Sequence, residues 1–362
     1  MSPRMAFAEL YVDESAVIAL TTGPGEYRWP DIDGSNAVWF EHHDNQFTMY
    51  AKDLANMVQP ARPIVTGTIA EPEIDGSRVV YYDYSEGHVY LVDIAEANPQ
   101  PIRLSTLPTE GNPLPSISGD RVIWTRKVGD DSSGEPYELD IYGIDLTNMG
   151  AGDYWITGSV HNDVNNFLAG HLSGDMLAYT DTHGIFYDPF DTDQYVFVKD
   201  VSAPSLPAIT LDGVSLLGYV DIEDNWVVWG RVDQTYQPSL VQESNLYVAD
   251  LTQPSMGPRE LTVGPYDVQL ADLSGSIALY REFDSILGYS AIYAIDVTDP
   301  NTTPFPVVET GSLVGRDQVK LSGNTVIYAQ DGDIFVNYIV PEPASLLSFL
   351  TCLSWISIGR FR

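Results

Sequence analysis

The chain has 362 residues, 44% of them hydrophobic, enough to bury a large core and to exclude wholesale disorder. Its 17 basic and 51 acidic residues give a net charge of −34, and a surface that negative repels phosphate backbones, which argues against nucleic acid as a partner. Cys352 is the one cysteine, so there is no disulfide framework and no cysteine-based zinc or iron–sulfur centre.

At the N-terminus, Met5-Ala6-Phe7-Ala8 before Glu9 reads as an A-x-A cleavage box stripped of its apolar upstream region. Residues 1–8 are therefore expected to be the remnant of a signal peptide; the other reading is an ordinary N-terminal tail. Next comes Ala19-Leu20-Thr21-Thr22-Gly23, a strand-like piece with no parent module.

From Ile32 the chain repeats. IDGSNAVW at Ile32 returns as IDGSRVVY at Ile74, ISGDRVIW at Ile117, LSGDMLAY at Leu172, IEDNWVVW at Ile222, LSGSIALY at Leu273 and LSGNTVIY at Leu321. Spacings of 42 to 55 residues, with Val, Ile, Tyr and Trp between turn residues, predict one four-stranded blade per module. After each anchor a strand ends in aromatic-x-x-Asp: Tyr50/Asp53, Tyr90/Asp93, Tyr142/Asp145, Phe197/Asp200, Tyr247/Asp250 and Tyr293/Asp296. Six equivalent carboxylates predict a structural task, such as accepting a turn N–H, because an active site is a singular constellation.

A third strand ends in an aliphatic residue and then Thr or Ser: Val65-Thr66, Leu104-Ser105, Ile156-Thr157, Ile209-Thr210, Leu261-Thr262 and, more loosely, Val308 with Thr310. The seventh module lacks this piece, and the orphan at Ala19–Gly23 supplies it. The expectation is an all-β, seven-bladed β-propeller over residues 9–339, closed by its N-terminal strand, which removes the open sheet edges. The strand before each anchor should lie nearest the axis.

The combined pattern of aliphatic-Ser/Asp-Gly, strand, Tyr-x-x-Asp, strand and Leu-Thr resembles the propeller repeats of TolB-type proteins and, more distantly, those covering prolyl oligopeptidases. The resemblance spans roughly residues 15 to 339, and its motif is shared by proteins of many functions. The Gly-His and Trp-Asp signatures of WD repeats are absent. Residues 340–362 read differently. Pro341-Glu342-Pro343, an apolar run from Leu346 to Gly359, and Arg360 and Arg362 at the end resemble the PEP-CTERM sorting signal of Gram-negative bacteria. Fourteen residues are short for a bilayer span of roughly 20, so the segment suits transient inner-membrane association, with the arginines on the cytoplasmic side and the propeller outside. Ser348, Thr351, Ser354 and Ser357 depart from the pattern by making the run polar. The resemblance implies recognition of the triplet by an exosortase-type membrane protease, and an exported protein at the cell surface or in the extracellular matrix.

The sequence contains no G-x-S-x-G elbow, Walker-A loop, H-E-x-x-H helix or dinucleotide fingerprint. With the repeats spanning residues 15 to 339, no α/β-hydrolase domain is expected within these 362 residues. Adjacent His42 and His43 would point apart on a strand, a poor start for a metal site. A column just before the anchors, Asp31, Glu73, Ser116, His171, Asp221, Asp272 and Lys320, should lie near one mouth of the channel. Its expected role is as solvated turn residues and cross-blade hydrogen bonds, with a cation or small ligand at the mouth as the other reading.

The candidate ligand face comes from module length. From anchor to carboxylate, modules three to five span 28 residues against 19 to 23 in the others, so their extended loops should lie side by side on one end. These loops carry Asp130, Asp131 and Tyr137, then Phe186, Tyr187, Asp188, Phe190, Asp191 and Asp193, then Tyr236. Aromatic planes beside carboxylates suit sugar rings or a Ca²⁺-assisted ligand, although none of these runs has EF-hand spacing and no cofactor is otherwise expected. The functional expectation is a non-catalytic binding module for carbohydrate such as exopolysaccharide. The alternatives are an extracellular lyase or glycosidase using the same face, and a purely structural matrix component.

Overall fold

A computed structural model of the chain describes residues 10–12, 17–22, 25–44, 46–109, 113–128, 137–162, 170–183, 193–214, 217–232, 244–263, 267–284, 289–310 and 318–341. Its strands form seven antiparallel sheets, six with four strands and one with five. The innermost strands are Glu26–Asp33, Ile69–Asp75, Ser116–Ser118, Gly170–Ser173, Leu217–Glu223, Asp267–Ser274 and Val319–Ser322. Each touches the innermost strand of the next blade, and the seventh touches the first, so the sheets stand around a closed circle. The protein is a seven-bladed β-propeller, as the repeat predicts.

The anchor strands follow: Asn36–His43, Arg78–Asp83, Arg121–Val128, Met176–His183, Trp226–Val232, Ile277–Asp284 and Thr325–Gln330. Each is reached through a tight turn with one residue at positive φ. Glycine fills that place at Gly34, Gly76, Gly119, Gly174, Gly275 and Gly323, and Asp224 takes it in the fifth blade at φ 52°. A short polar residue tolerates the left-handed region better than a branched one, which is why IEDN can stand in for the Ser-Gly or Asp-Gly pair.

The third strands are Gln46–Asp53, His88–Asp93, Tyr137–Asp145, Asp193–Asp200, Ser244–Asp250, Tyr289–Asp296 and Asp333–Pro341. Their aromatics lie opposite those of the anchor strands and stack on them: Trp39 on Tyr50, Tyr81 on Tyr90, Tyr179 on Phe197, Trp229 on Tyr247, Tyr280 on Tyr293 and Tyr328 on Phe335, at interplanar angles of 14° to 23°. The six repeated aspartates do the turn work expected of them. Asp53 and Asp93 accept the N–H two residues on, and Asp145, Asp200, Asp250 and Asp296 accept both the N–H and the hydroxyl of Thr147, Ser202, Thr252 and Thr298.

Seven apolar clusters fill the wedges between blades. Each draws on two neighbours, and one joins Ile32, Ala37 and Trp39 of the first blade to Ile327, Ile334 and Val336 of the seventh. Burying one such aliphatic side chain is worth roughly 1.5–3 kcal/mol, so the wedges, with dozens of them, dominate the stability of the ring.

The outer strands are Arg62–Gly67, Ile102–Arg103, Tyr154–Asn162, Ile209–Val214, Arg259–Glu260 and Phe305–Thr310, and the seventh blade is completed by Leu10–Val12 and Ile18–Ala19. Leu10–Val12 pairs with Ile339–Pro341, and Ile18–Ala19 with Phe335–Val336. The last strand thus runs past Ile339 and takes in Pro341. The aliphatic-hydroxyl motif explains the closure in atomic terms. In the second blade Leu104 N–H donates to Val89 O, and Ser105 Oγ accepts from Val89 N–H. In the fifth, Leu261 and Thr262 do the same to Leu246. In the seventh, Leu20 N–H donates to Ile334 O at 2.7 Å and Thr21 Oγ1 accepts Ile334 N–H at 2.8 Å. The hydroxyl replaces a ladder carbonyl, so the N-terminal piece finishes blade seven with the chemistry that its own blades use.

Thr21 is buried and also donates to Asp333. Thr21→Val leaves the Ile334 N–H without its acceptor, and urea denaturation should show a loss of about 1–3 kcal/mol. Thr22→Val, at an exposed neighbour, should stay within about 0.5 kcal/mol of the parent.

Candidate functional site

The column before the anchors forms a ring around the axis, in which Glu73, His171 and Lys320 are partly exposed and the other four are buried. Asp31, Ser116, Asp221 and Asp272 are all less than 9% exposed. The cross-blade half of the expectation holds, and the solvated half is corrected at those four. The reason is geometric: the innermost strands converge, so polar side chains that would meet water on an open sheet meet the next blade instead.

Five members of the ring accept the anchor N–H of the following blade: Asp31 from Ile74 (2.8 Å), Glu73 from Ile117 (2.9 Å), Ser116 from Leu172 (3.2 Å), Asp221 from Leu273, and Asp272 from Leu321 (2.5 Å). His171 and Lys320 break the series: the ammonium of Lys320 has no lone pair to offer, and the ring of His171 is turned to Asp221. In the blades that follow them, Asp221 and Asp31 each turn Oδ1 back to the anchor N–H of their own blade, at Ile222 (2.8 Å) and Ile32 (2.9 Å). The two bases instead face acids: Lys320 Nζ lies 3.2 Å from Asp272 Oδ1, and His171 Nδ1 lies 3.5 Å from Asp221 Oδ1.

A second tier lies beside the tight turns. Asp33, Ser118, Ser173, Ser274 and Ser322 accept the N–H of Gly76, Gly174, Asp224, Gly323 and Gly34, at 2.6 to 3.0 Å. The last of these spans the junction between the seventh and first blades. The small polar residue of the repeated phrase is therefore a clasp, placed so that its short side chain reaches the neighbouring turn.

Burial controls the electrostatics of the ring. It lifts the Asp31 carboxyl to about 8, Lys320 drawing it down and Glu73 and Asp272 pushing it up. It raises Glu73 and Asp221 as well, and lifts Glu223 to about 7. His171 is driven down by the same burial, against the pull of Glu73. Burial also opposes the charge of Lys320, but Asp272, Asp31, Glu73 and Asp221 together outweigh it and hold the ammonium above its ordinary range. Burial thus favours the neutral forms of Asp31, Glu73, Asp221 and His171, while the surrounding acids keep Lys320 charged. Such a set can hold blades together and take up protons; both Asp31 oxygens and both Asp272 oxygens are already engaged. Among the described residues no three His, Cys, Asp or Glu side chains gather in a metal-holding cluster.

His42 and His43 go separate ways, His42 to Glu26 and His43 to Asp44. Within the loop-borne candidate face, Tyr137 and Asp193 begin third strands, opposite Asn162 and His183. Asp130, Asp131, Phe186, Tyr187, Asp188, Phe190, Asp191 and Tyr236 lie outside the described residues, as do Glu342, Pro343, Arg360 and Arg362. The anchor strands start at the tight turns, so the ring lies toward that end, and Tyr137 and Asp193, at the starts of their third strands, lie toward the other. Pro341, Cα-paired with Leu10, leaves from the turn end.

No protein-family model and no curated protein matches the chain. Solved structures do. The β-propeller domain of the Trilobed protease from Pyrococcus furiosus, described as having an open velcro topology, is 12% identical, with a TM-score of 0.60 over 94% of this chain and all of that one. Acylaminoacyl peptidase from Pyrococcus horikoshii is 11% identical at 0.61 over 90% of this chain, which spans 54% of the peptidase. TolB from Acinetobacter baumannii is 14% identical at 0.46, covering 76% of this chain and 64% of that one. At these identities the likeness speaks to the fold alone.

Because the folded carboxyls of Asp31, Asp221 and Glu223 lie above their unfolded values, their stabilising share is full below about pH 4 and fades as pH rises toward 8. The lowered carboxyls of Asp145, Asp200 and Asp250, held by their turn hydroxyls, lose their share as pH falls below the usual carboxylate range. Thermal unfolding across pH should thus peak in mild acid, and Asp31→Asn should flatten the decline on the alkaline side. Lys320→Met, which strands Asp272, should cost about 3–5 kcal/mol, with partial recovery in the Lys320→Met/Asp272→Asn pair.

Proposed function

We propose that this propeller is an exported, exosortase-sorted protein of the cell surface or matrix, and that it serves as a non-catalytic binding module for carbohydrate. The observation that carries the sorting half is the position of the triplet. Pro341, the first residue of the triplet, ends the third strand of the seventh blade, paired with Leu10, and the apolar run and terminal arginines follow it in the sequence.

The binding half draws on chemistry. The polar groups of the axis are spent on joining blades, and the sequence offers no nucleophile elbow or phosphate loop. A net charge of −34 disfavours anionic polymers and leaves neutral glycans as the better partners. Rigid propellers present side chains from several blades at once, which suits extended polymers.

Two measurements test the two halves. Mass mapping of the C-terminus from producing cells should find the chain cut near Pro341-Glu342-Pro343; an intact Arg362 on exported protein refutes sorting. Incubation with neutral exopolysaccharide should give retention without release of reducing ends or unsaturated products. Turnover would favour the lyase or glycosidase reading, and absence of both binding and turnover would leave a structural matrix role.

A further inference from the structure

At the turn end, between the third and fourth blades, the described residues border an open hollow of about 320 Å³. Arg121, the first residue of the third anchor strand, lies on one side of it. Its guanidinium is shared between two carboxylates, Nη1 to Asp145 Oδ2 at 2.6 Å and Nε to Asp175 Oδ1 at 2.9 Å. The Tyr154 side chain, half-buried, also bonds with Arg121, and burial pushes its hydroxyl above the ordinary range. Pro204 and the Tyr154 ring supply apolar surface, while Asn148 adds an amide and Ser202 a hydroxyl oxygen that can still accept, its proton being donated to Asp200.

The third blade shapes this hollow. Its turn after Asp145 runs on as a short 3-10 segment, Leu146–Ala151, before Gly152 at φ 76° redirects the chain into the outer strand. The turn after Asp200 in the next blade brings Ser202 and Pro204 to the other wall. Asp145 is fixed by Thr147 and Arg121, so the polar side of the hollow is held before any ligand arrives.

The geometry points to a binding site for one neutral sugar ring. Asp145 and Asp175 outweigh the single Arg121 cation, so an anion is repelled, and both carboxylates are already engaged by the guanidinium, which leaves neither free for a cation. A hydroxyl both donates and accepts, matching a site that offers amide, phenol, hydroxyl and carboxylate together, and the apolar side of a pyranose suits the Tyr154 and Pro204 rings. The volume fits a single ring or the end of a chain, at the small end of ligand sites. This inference rests on the carbohydrate-binding reading and places one subsite at the turn end.

The test is titration calorimetry of the full chain with glucose, galactose, mannose and N-acetylglucosamine, with glucuronate and glucosamine as charged controls. At least one neutral sugar should bind, at least tenfold tighter than either control. Ala151→Trp, which fills the hollow from an exposed position, should weaken that binding at least tenfold without moving the melting temperature, and Tyr154→Ala should weaken it too. Unchanged affinity in Ala151→Trp overturns the site, as does the absence of binding by all four sugars or a preference for glucuronate. The Tyr187→Ala/Phe190→Ala variant separates the two levels: loss of polymer binding there, with Ala151→Trp unaffected, removes this hollow while keeping the carbohydrate reading. Failure to retain any neutral polymer removes both.

Discussion

One interaction governs the form of this molecule: a short polar side chain near the end of an innermost strand reaches the backbone N–H of the neighbouring blade. It occurs in two tiers, one at the tight turns and one at the anchors. Each bond contributes only about 0.5–1.5 kcal/mol, less than a single buried aliphatic in the wedges. The division of labour follows from those magnitudes. Apolar burial drives the blades together without direction, and the clasps set how far each blade rises and turns against its neighbour. A ring of seven requires the seventh offset to bring the chain back to its start, so directional bonds matter more here than their energies suggest. The junction from Ser322 to Gly34 shows the circle meeting itself with the same bond used elsewhere.

His171 and Lys320 show how the device tolerates failure. Where the preceding residue does not accept the anchor N–H, the aspartate of the next blade folds back on its own N–H. No anchor amide at those two junctions is abandoned, and each basic group gains an acid as its counterpart. The cost is a buried set of ionisable groups whose protonation is tied to folding. The axis thus couples architecture to proton concentration through the same groups that clasp the blades.

Much of this was legible in the sequence because the turns and aromatics are local signals. Ser-Gly before a β-branched run, Tyr three residues ahead of Asp, and Leu-Thr at the rim each describe contacts made within a few residues or across one ladder. Even the missing seventh rim strand could be traced to Leu20-Thr21. The axial ring was legible as a column but not as a buried one. Hydropathy marks Asp31 or Asp272 as polar, and polarity reads as solvent unless the curvature that brings innermost strands together is known. The hollow at Arg121 left no signal, since Asn148, Tyr154 and Ser202 belong to separate segments and their meeting depends on how two blades lean.

The pairing of Leu10–Val12 with Ile339–Pro341 has a mechanical corollary. A pull on the polypeptide beyond Pro341 acts along the strand Asp333–Pro341, which has Thr325–Gln330 on one flank and the N-terminal pieces on the other. Ladder bonds on both flanks then share the load in parallel, in shear, rather than opening one after another like a peeled hairpin. A body held by that tail would resist drag with the whole width of its final sheet.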